Sequence, residues 1–155
     1  MSFRITGLAP EPFQHLFGQS DVDLNAQGVF RYRADTCPGF PDRIEMREAR
    51  VGESLLLLNH TCQAASSPYH AKHAIFVIEG ASQKYSEIDT VPEVMANRLL
   101  SLRGFDSAGM MLDGQVVQGA KITDMIAQFF DNPKIDYIHA HNASRGCYSG
   151  RIDRI

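Results

Sequence analysis

The chain has 155 residues, of which 44% are hydrophobic and 21% charged, as in a folded globular domain rather than a disordered segment. Its formal net charge of -3 does not provide the clustered positive charge that nucleic-acid binding requires, and no apolar run is long enough to span a membrane. The N-terminus lacks a secretory signal and the three cysteines lack a disulfide spacing, so we expect one cytoplasmic domain over residues 1–155 with reduced thiols.

The first part of the chain predicts a strand, two short helices and a second strand. Phe3–Leu8 alternates weakly, as a strand does, and Pro10–Phe17 has prolines in its first turn and one apolar face, as a short helix does. Ser20 is a suitable N-cap for a second helix that Gly28 would end. Val29–Arg33 alternates as a half-buried strand.

Two continuous apolar runs predict the centre of a sheet. Leu55–Leu58 and Ala74–Ile78 are short and bounded by polar residues, as in strands covered on both faces. The segment between them, Thr61–Lys72, is polar and predicts a loop. Before the first run, Cys37–Pro41 contains two prolines and predicts turns, and Arg43–Met46 resumes an extended pattern.

The sequence from residue 90 onward predicts a helix, a strand and a hairpin. Thr90-Val91-Pro92-Glu93 has the form of a capping box, with a helix to about Leu99, and Leu100–Phe105 returns to a strand. Asp113-Gly114 supplies the two positive-φ residues of a type I′ turn, so Met110–Val117 is expected to form a hairpin around it.

The last part predicts an amphipathic helix, Ile122–Phe130, followed by two strands, Ile135–His141 and Cys147–Asp153, joined by a short loop. Together the elements predict an α+β fold: a mostly antiparallel sheet of about six to eight strands with three to four short amphipathic helices packed on it. No Gly-x-Gly-x-x-Gly, Walker loop or Gly-x-Ser-x-Gly elbow is present, which excludes the simplest nucleotide-binding and serine-hydrolase hypotheses.

Tyr137, His139 and His141 occupy alternate positions of a predicted strand and therefore share one face. The two histidines would lie ~6.6 Å apart along the strand, close enough to bind one metal ion if another residue supplied a third ligand. The available donors are His60, His73, Cys62, Asp106 and Asp113. The alternative is a pair of histidines hydrogen-bonded on a half-exposed sheet face. Because no second motif reinforces the pair, we expect no metal or other cofactor.

Cys147 lies close to Arg145 and to the two histidines, so His139 and Cys147 are candidate catalytic residues. An arginine beside a thiol, with a histidine as base, meets the requirements of nucleophilic attack by cysteine. The alternative is that Cys147 is a small buried hydrophobic residue at the start of a strand.

Three arginines near predicted turns could together hold a small anionic ligand, because the planar guanidinium suits a carboxylate or a phosphate. The residues expected to border such a ligand are Arg43, Arg103, Asp106, Tyr137, His139, Asn142 and Arg145. The alternative is structural ion pairs with nearby carboxylates, Arg103 with Asp106 or Asp113 and Arg43 with Glu45 or Glu53.

Nine short segments spread over nearly the whole chain are specific as a set. They are Phe3-Arg4-Ile5, Pro38–Arg43, Gly52-Glu53, Ser67-Pro68-Tyr69, Ile75-Phe76-Val77, Leu102–Asp106, Met111–Gly114, Tyr137-Ile138-His139 and Asn142-Ala143 with Gly146-Cys147. In these segments the chain resembles a bacterial family known as domain of unknown function 1203. The resemblance implies a bacterial, cytosolic protein and no particular activity.

The chain departs from that family at a few positions. Relatives commonly have Cys where this chain has Asp42, and Ala-Tyr or Ala-Phe where it has Gly104-Phe105. They vary at the position of His141. The resemblance therefore implies that a metal-binding pair of His139 and His141 is not a general property of the family.

Three functional hypotheses follow. The first is a binding module that holds a small anionic ligand, or a partner, in a pocket against the sheet. The second is an enzyme, either metal-assisted through His139 and His141 or thiol-based through Cys147. The third is a structural role in which exposed sheet or hairpin forms a homodimer.

Overall fold

The computed structural model describes residues 1–155 as nine strands and four α-helices. The strands are β1 Phe3–Thr6, β2 Phe30–Arg33, β3 Ser54–Gln63, β4 Ala71–Ile78, β5 Ser86–Ile88, β6 Leu99–Phe105, β7 Met111–Gln118, β8 Tyr137–Asn142 and β9 Tyr148–Arg154. The helices are α1 Glu11–Gln14, α2 Asp21–Ala26, α3 Glu93–Ala96 and α4 Ile122–Phe130, the last preceded by a 3-10 turn, Gly119–Lys121.

The strands form two antiparallel sheets. The large sheet has the order β5-β1-β9-β8-β6-β7, and the small sheet has the order β2-β3-β4. The predicted α+β class, with mostly antiparallel strands and a few short helices, is confirmed. The large sheet has six strands, within the predicted range, and β2, β3 and β4 form a separate small sheet because they pair only with one another.

Local sequence explains the elements that were predicted correctly. The Ser20 hydroxyl accepts a hydrogen bond from the backbone N–H of Asp23, which is the expected N-cap of α2. In α4, Ile122, Ile126 and Phe129 are buried on one face, as their helical spacing predicts. The strands β8 and β9 lie next to each other in the middle of the large sheet.

Each sheet has its own hydrophobic core. The large-sheet core contains 16 buried residues, including those of α4, and the small-sheet core contains 14, including Phe13 and Leu24 from the helices after β1. One irregular segment joins the two cores, because Ile44 and Ala49 pack in the small-sheet core whereas Met46 packs in the large-sheet core.

The predicted hairpin at Asp113-Gly114 is wrong. Strand β7 runs through these residues and pairs with β6, where Arg103 lies opposite Gly114. The turn between β6 and β7 is built instead by Asp106, whose carboxylate accepts hydrogen bonds from the backbone N–H groups of Ala108 and Met110. An Asx turn of this kind competes with an Asp-Gly turn, and an edge strand such as β7 tolerates glycine.

The segment Arg43–Met46 is not extended as predicted. The Asp42 carboxylate accepts hydrogen bonds from the backbone N–H groups of Ile44 and Glu45, which folds the segment into a turn, and Met46 has a φ of 55°. The same carboxylate also accepts from the N–H of Ile78, so the turn is tied to β4. The hydrogen bonds of the Asp42 side chain thus produce a turn where the sequence pattern predicts an extended backbone.

Two strand boundaries and the position of one strand also differ from prediction. The expected loop Thr61–Lys72 is shorter, because β3 continues to Gln63 and β4 begins at Ala71. Strand β4 is an edge strand rather than a central one.

The expected capping box is absent. The Thr90 hydroxyl donates to the carbonyl of Ile88, and Pro92 is the residue before α3, which ends at Ala96. Glu93 is bound elsewhere, because its carboxylate accepts from the backbone N–H of Glu48.

Candidate functional site

A cleft of about 760 Å³ lies where the small sheet meets the loop between β8 and β9. Its wall is formed by β2 and the turns after it, by β3 and β4, by the start of β6 and by the β8–β9 loop. The charged residues that line it are Arg33, Arg43, Arg98, Arg145 and one acid, Asp35. A smaller cavity of about 560 Å³ is formed by the β3–β4 loop alone and contains no such group of charges.

Arg43 lies in the wall of the cleft and is only 2% exposed. Its guanidinium donates to the carbonyls of Tyr148 at 2.9 Å and Pro41 at 2.6 Å, and to the Cys147 sulfur at 3.3 Å. No carboxylate forms an ion pair with it, and burial lowers its pKa. A guanidinium has five N–H bonds, so three contacts leave further donors for a ligand.

Cys147 lies at the same wall and is a free thiol. Its sulfur accepts from Arg43 Nη2 and from Asn142 Nδ2, each at 3.3 Å. The other polar atom of Asn142, Oδ1, is buried and has no hydrogen-bond partner. Asn142 therefore offers an unused acceptor, and Arg43 offers unused donors, beside one sulfur atom.

The remaining charges leave the cleft positive. Arg98 forms an ion pair with Glu48, whereas Arg33 donates only to the carbonyl of Gly52. Arg145 makes no hydrogen bond or ion pair and is exposed. Asp35 is the single carboxylate in the lining, so the arginine charges exceed the acidic ones.

The structure brings together only some of the residues that the sequence predicted as ligand contacts. Arg43, Asn142 and Arg145 line the cleft together with Cys147, whereas Arg103, Asp106, Tyr137 and His139 do not. The predicted ion pairs of Arg43 and Arg103 are wrong, because neither arginine forms an ion pair. Arg103 donates to the Ser101 hydroxyl at 3.4 Å. Asp106 serves the turn between β6 and β7.

Tyr137, His139 and His141 share one face of β8, as predicted, but this face is interior. The two histidines are 4% and 2% exposed, and Tyr148 of β9 packs against both rings. Burial lowers the pKa of His139 to about 3 and that of His141 to about 4. The Tyr137 hydroxyl accepts from the Gln63 side chain, so this face contacts β3 of the small sheet.

His141 is grouped with a different set of potential metal ligands than the sequence predicted. The ligand atoms of Cys62, His73 and His141 all lie within 4.8 Å of one another, and His139 is not part of this group. His141 Nδ1 is 2.9 Å from the Gly146 carbonyl, and His73 Nε2 is buried with no hydrogen-bond partner. Burial lowers the pKa of His73 and raises that of Cys62.

Sequence reasoning missed two arginines of the cleft, Arg33 on β2 of the small sheet and Arg98 just before β6 of the large sheet. It also missed the aromatic residues of the lining, Phe40 and Phe76. Alternation in β2 placed Arg33 on a strand but could not show which sheet faces it. Only the contact between the two sheets brings these residues to the β8–β9 loop.

The family model for a protein of unknown function, DUF1203, matches residues 39–154 of the chain. The chain belongs to this family. The matched region includes Arg43 and Cys147 of the cleft, and it includes the group of Cys62, His73 and His141. Arg33 lies outside it. No curated protein and no solved structure matches the chain. None of the helices is both long and apolar enough to cross a bilayer.

Proposed function

We propose that this DUF1203 protein binds a small anionic ligand in the cleft between its two sheets. The observation that supports this most is Arg43, a buried guanidinium in the cleft wall with no carboxylate partner. Burying a cation is costly unless it is paired, and carbonyl and sulfur contacts compensate only part of that cost. An anion in the cleft supplies the missing charge.

The composition of the cleft indicates the kind of anion. Guanidinium groups bind carboxylates and phosphates through paired hydrogen bonds, and Arg33 and Arg145 are available beside Arg43. Phe40 and Phe76 line the same cleft with their ring centroids 5.4 Å apart. A volume of about 760 Å³ is in the range of small-molecule sites. We therefore expect a carboxylate or phosphate joined to an apolar group.

Calorimetric titration with matched probes tests the proposal. The probes are inorganic phosphate, phenyl phosphate, benzoate and, as the cationic control, benzylamine. Saturable binding of phenyl phosphate, tighter than that of inorganic phosphate, is expected because the ring adds apolar contact. Binding of benzylamine as tight as that of benzoate would contradict the proposal.

Arginine variants then locate the binding. Arg33→Gln and Arg145→Gln are each expected to weaken phenyl phosphate binding about tenfold, since one charge-assisted hydrogen bond is lost. Arg4→Gln is the control, because Arg4 is an exposed arginine on β1, away from the cleft lining. An equal loss in all three variants would show general electrostatic attraction rather than a site.

Thiol chemistry at Cys147 is a second candidate function. It is favoured by the two N–H donors that converge on the sulfur inside the cleft. Alkylation by iodoacetamide, followed residue by residue by mass spectrometry, separates Cys147 from the exposed Cys37. Faster alkylation of Cys147, slowed by Asn142→Ala and by bound phenyl phosphate, is expected. Alkylation no faster than that of Cys37 would contradict this candidate.

We also propose a bacterial, cytoplasmic setting, a single folded unit and no nucleic-acid partner. Three unpaired cysteines support a reducing compartment, and the net charge of -3 opposes phosphate-backbone binding. A homodimer remains the structural alternative, supported by exposed Leu112 and Val116 on the edge strand β7. Sedimentation of the purified full chain distinguishes monomer from dimer.

A further inference from the structure

We infer that Cys62, His73 and His141 form a binding site for a divalent transition metal ion, and that Zn²⁺ fits the ligand set best. One thiolate and two imidazoles are ligands that Zn²⁺ prefers. Their ligand atoms lie within 4.8 Å of one another. In a tetrahedral zinc site the corresponding atoms are about 3.5 Å apart, so each would move inward by less than about 1 Å.

The three ligands come from both sheets. Cys62 is on β3 and His73 on β4 of the small sheet, and His141 is on β8 of the large sheet. An ion bound here would join the two sheets at a point where they otherwise meet through side chains. This position differs from the predicted pairing of His139 with His141, which lie on the same strand with ring centroids 6.4 Å apart.

Two irregularities in strand pairing occur next to the proposed ligands. In the β3–β4 ladder the register shifts between Thr61 and Gln63, so Cys62 is the extra residue of a bulge. In the β8–β9 ladder the register shifts between Ala140 and His141. Bulges re-aim side chains and are common beside functional sites. Here Cys62 lies in one bulge, and His141 lies opposite the other, whose extra residue is Ser149 of β9.

The hydrogen bonds of the histidines also fit metal binding. The Nδ1 of His141 pairs with the Gly146 carbonyl, so it is the donor and Nε2 has a free lone pair. This is the arrangement in which a carbonyl orients an imidazole toward a metal ion. The Nε2 of His73 is buried without a partner, an unmet requirement that coordination would satisfy.

Arg103 is the main feature that opposes a cation at this position, and Arg43 acts more weakly on His141 in the same sense. Its guanidinium is close enough to act electrostatically on Cys62, His73 and His141. Ionisation of Cys62 on metal binding introduces a negative charge that offsets it in part. Replacing Arg103 with a neutral residue is therefore a sharp test, because it should increase the affinity for a cation and decrease the affinity for an anion.

Three protein ligands leave the fourth position of a tetrahedral ion for water or another molecule. His73 also lines the cleft, so the ion would lie beside the proposed anion site. The metal site does not depend on the proposed function, because Cys62 and His141 are outside the cleft lining. Anion binding measured with chelator present tests the cleft separately.

Cobalt titration of the tag-free, chelator-treated full chain tests the inference. Co²⁺ is expected to bind one per chain with a thiolate-to-cobalt charge-transfer absorption, and Zn²⁺ is expected to displace it. Cys62→Ser should abolish the absorption, and His73→Asn and His141→Asn should weaken binding at least about 100-fold. The controls Cys37→Ser, Cys147→Ser and His15→Asn should leave it unchanged, because none of these residues belongs to the group. No charge-transfer band in the wild type, or a band that survives Cys62→Ser, would overturn the inference.

Two measurements keep the test valid if a ligand variant folds poorly. In the wild type, Zn²⁺ is expected to protect Cys62 from alkylation while Cys37 stays reactive; equal reactivity of Cys62 with and without Zn²⁺ would overturn the site. Arg103→Gln keeps all three ligands and is expected to tighten Zn²⁺ binding, since a nearby cation is removed. Weaker Zn²⁺ binding in Arg103→Gln would overturn it as well and would indicate an anion site.

Discussion

Arg43 is the one arginine or lysine in the interior of the protein. A guanidinium in that position is retained only where polar atoms surround it, and here two carbonyls and one sulfur do so. None of these atoms is a carboxylate, so the guanidinium is a positive charge without an ion-pair partner in the wall of the cleft. Arg43 thus has two roles: its hydrogen bonds hold the chain around Pro41, and its charge contributes to the proposed anion site.

Arg43→Lys is expected to destabilise the protein by about 1–3 kcal/mol, because an ammonium cannot reach all three acceptors in the same geometry. Urea unfolding of the purified chain measures the change. Arg145→Lys is the control, since Arg145 is exposed and makes no hydrogen bond, and it should lie within about 0.5 kcal/mol of wild type. Equal stability of Arg43→Lys and wild type would show that the three contacts contribute nothing.

Glu79 predicts how stability depends on acid. Its carboxylate accepts from the Arg31 guanidinium, the Ser54 hydroxyl and the backbone N–H of Gly18, and mainly the Arg31 bond lowers its pKa from 4.5 to about 2. Because the folded pKa is below the unfolded one, the stabilisation is present above about pH 4.5 and is lost as the pH falls toward 2.

The melting temperature of Glu79→Gln should therefore be lower than that of wild type at pH 7, and the difference should vanish near pH 2. Glu87→Gln serves as the control, since Glu87 is exposed on the edge strand β5 and forms no ion pair or side-chain hydrogen bond. A constant difference between Glu79→Gln and wild type from pH 7 to pH 2 would contradict the assignment.

At the scale of elements, β6 and β7 show what determines a turn. Gly109 has a φ of 77°, and a Cβ added there would collide with that of Ala65. Gly114 lies mid-strand on the sheet edge, where the nearest atom to an added Cβ is Met111 Sδ at 3.8 Å. The chain reversal accordingly depends on the first glycine and not on the second.

Gly109→Ala is expected to destabilise the protein by about 1–3 kcal/mol through strain and steric conflict. Gly114→Ala should be within about 0.5 kcal/mol of wild type, because the site has space and ordinary strand geometry. Chemical denaturation of the two variants gives the comparison. A larger destabilisation by Gly114→Ala than by Gly109→Ala would contradict this account and would favour the turn that the sequence predicts at Asp113-Gly114.

Local patterns predicted the elements whose signal is contained within them. The amphipathic spacing of α4 and the Ser20 cap of α2 are examples, because each involves residues a few positions apart. Local patterns gave the wrong backbone conformation where an aspartate side chain binds backbone N–H groups, as Asp42 does with Ile78 and Asp106 with Met110. The bulge at Cys62 could not be predicted, because register shifts depend on the partner strand.

At the scale of the whole molecule, the candidate sites lie between the two sheets. Of the cleft residues, the sequence indicated Arg43, Asn142, Arg145 and Cys147, which lie near turns. It could not indicate Arg33, because hydrophobic periodicity does not show how two sheets pack against each other. The cores of the sheets meet through the segment that contains Ile44, Met46 and Ala49.

Because the segment that contains Ile44, Met46 and Ala49 packs in both cores, we predict that the two sheets unfold together. Losing either core would release buried residues of the other, so we expect one cooperative transition. Far-ultraviolet circular dichroism and the summed fluorescence of the five tyrosines, which include Tyr32 on the small sheet and Tyr137 on the large one, should give coincident urea curves. Two separated transitions would show that the sheets are independent units.

The most direct test of the anion-binding cleft is a crystal structure of the full chain with phenyl phosphate. We predict that the phosphate lies within hydrogen-bond distance of the Arg43 guanidinium or of Arg145, with the ring against Phe40 or Phe76. Phenyl phosphate bound elsewhere, with the cleft occupied only by solvent, would contradict the proposed function.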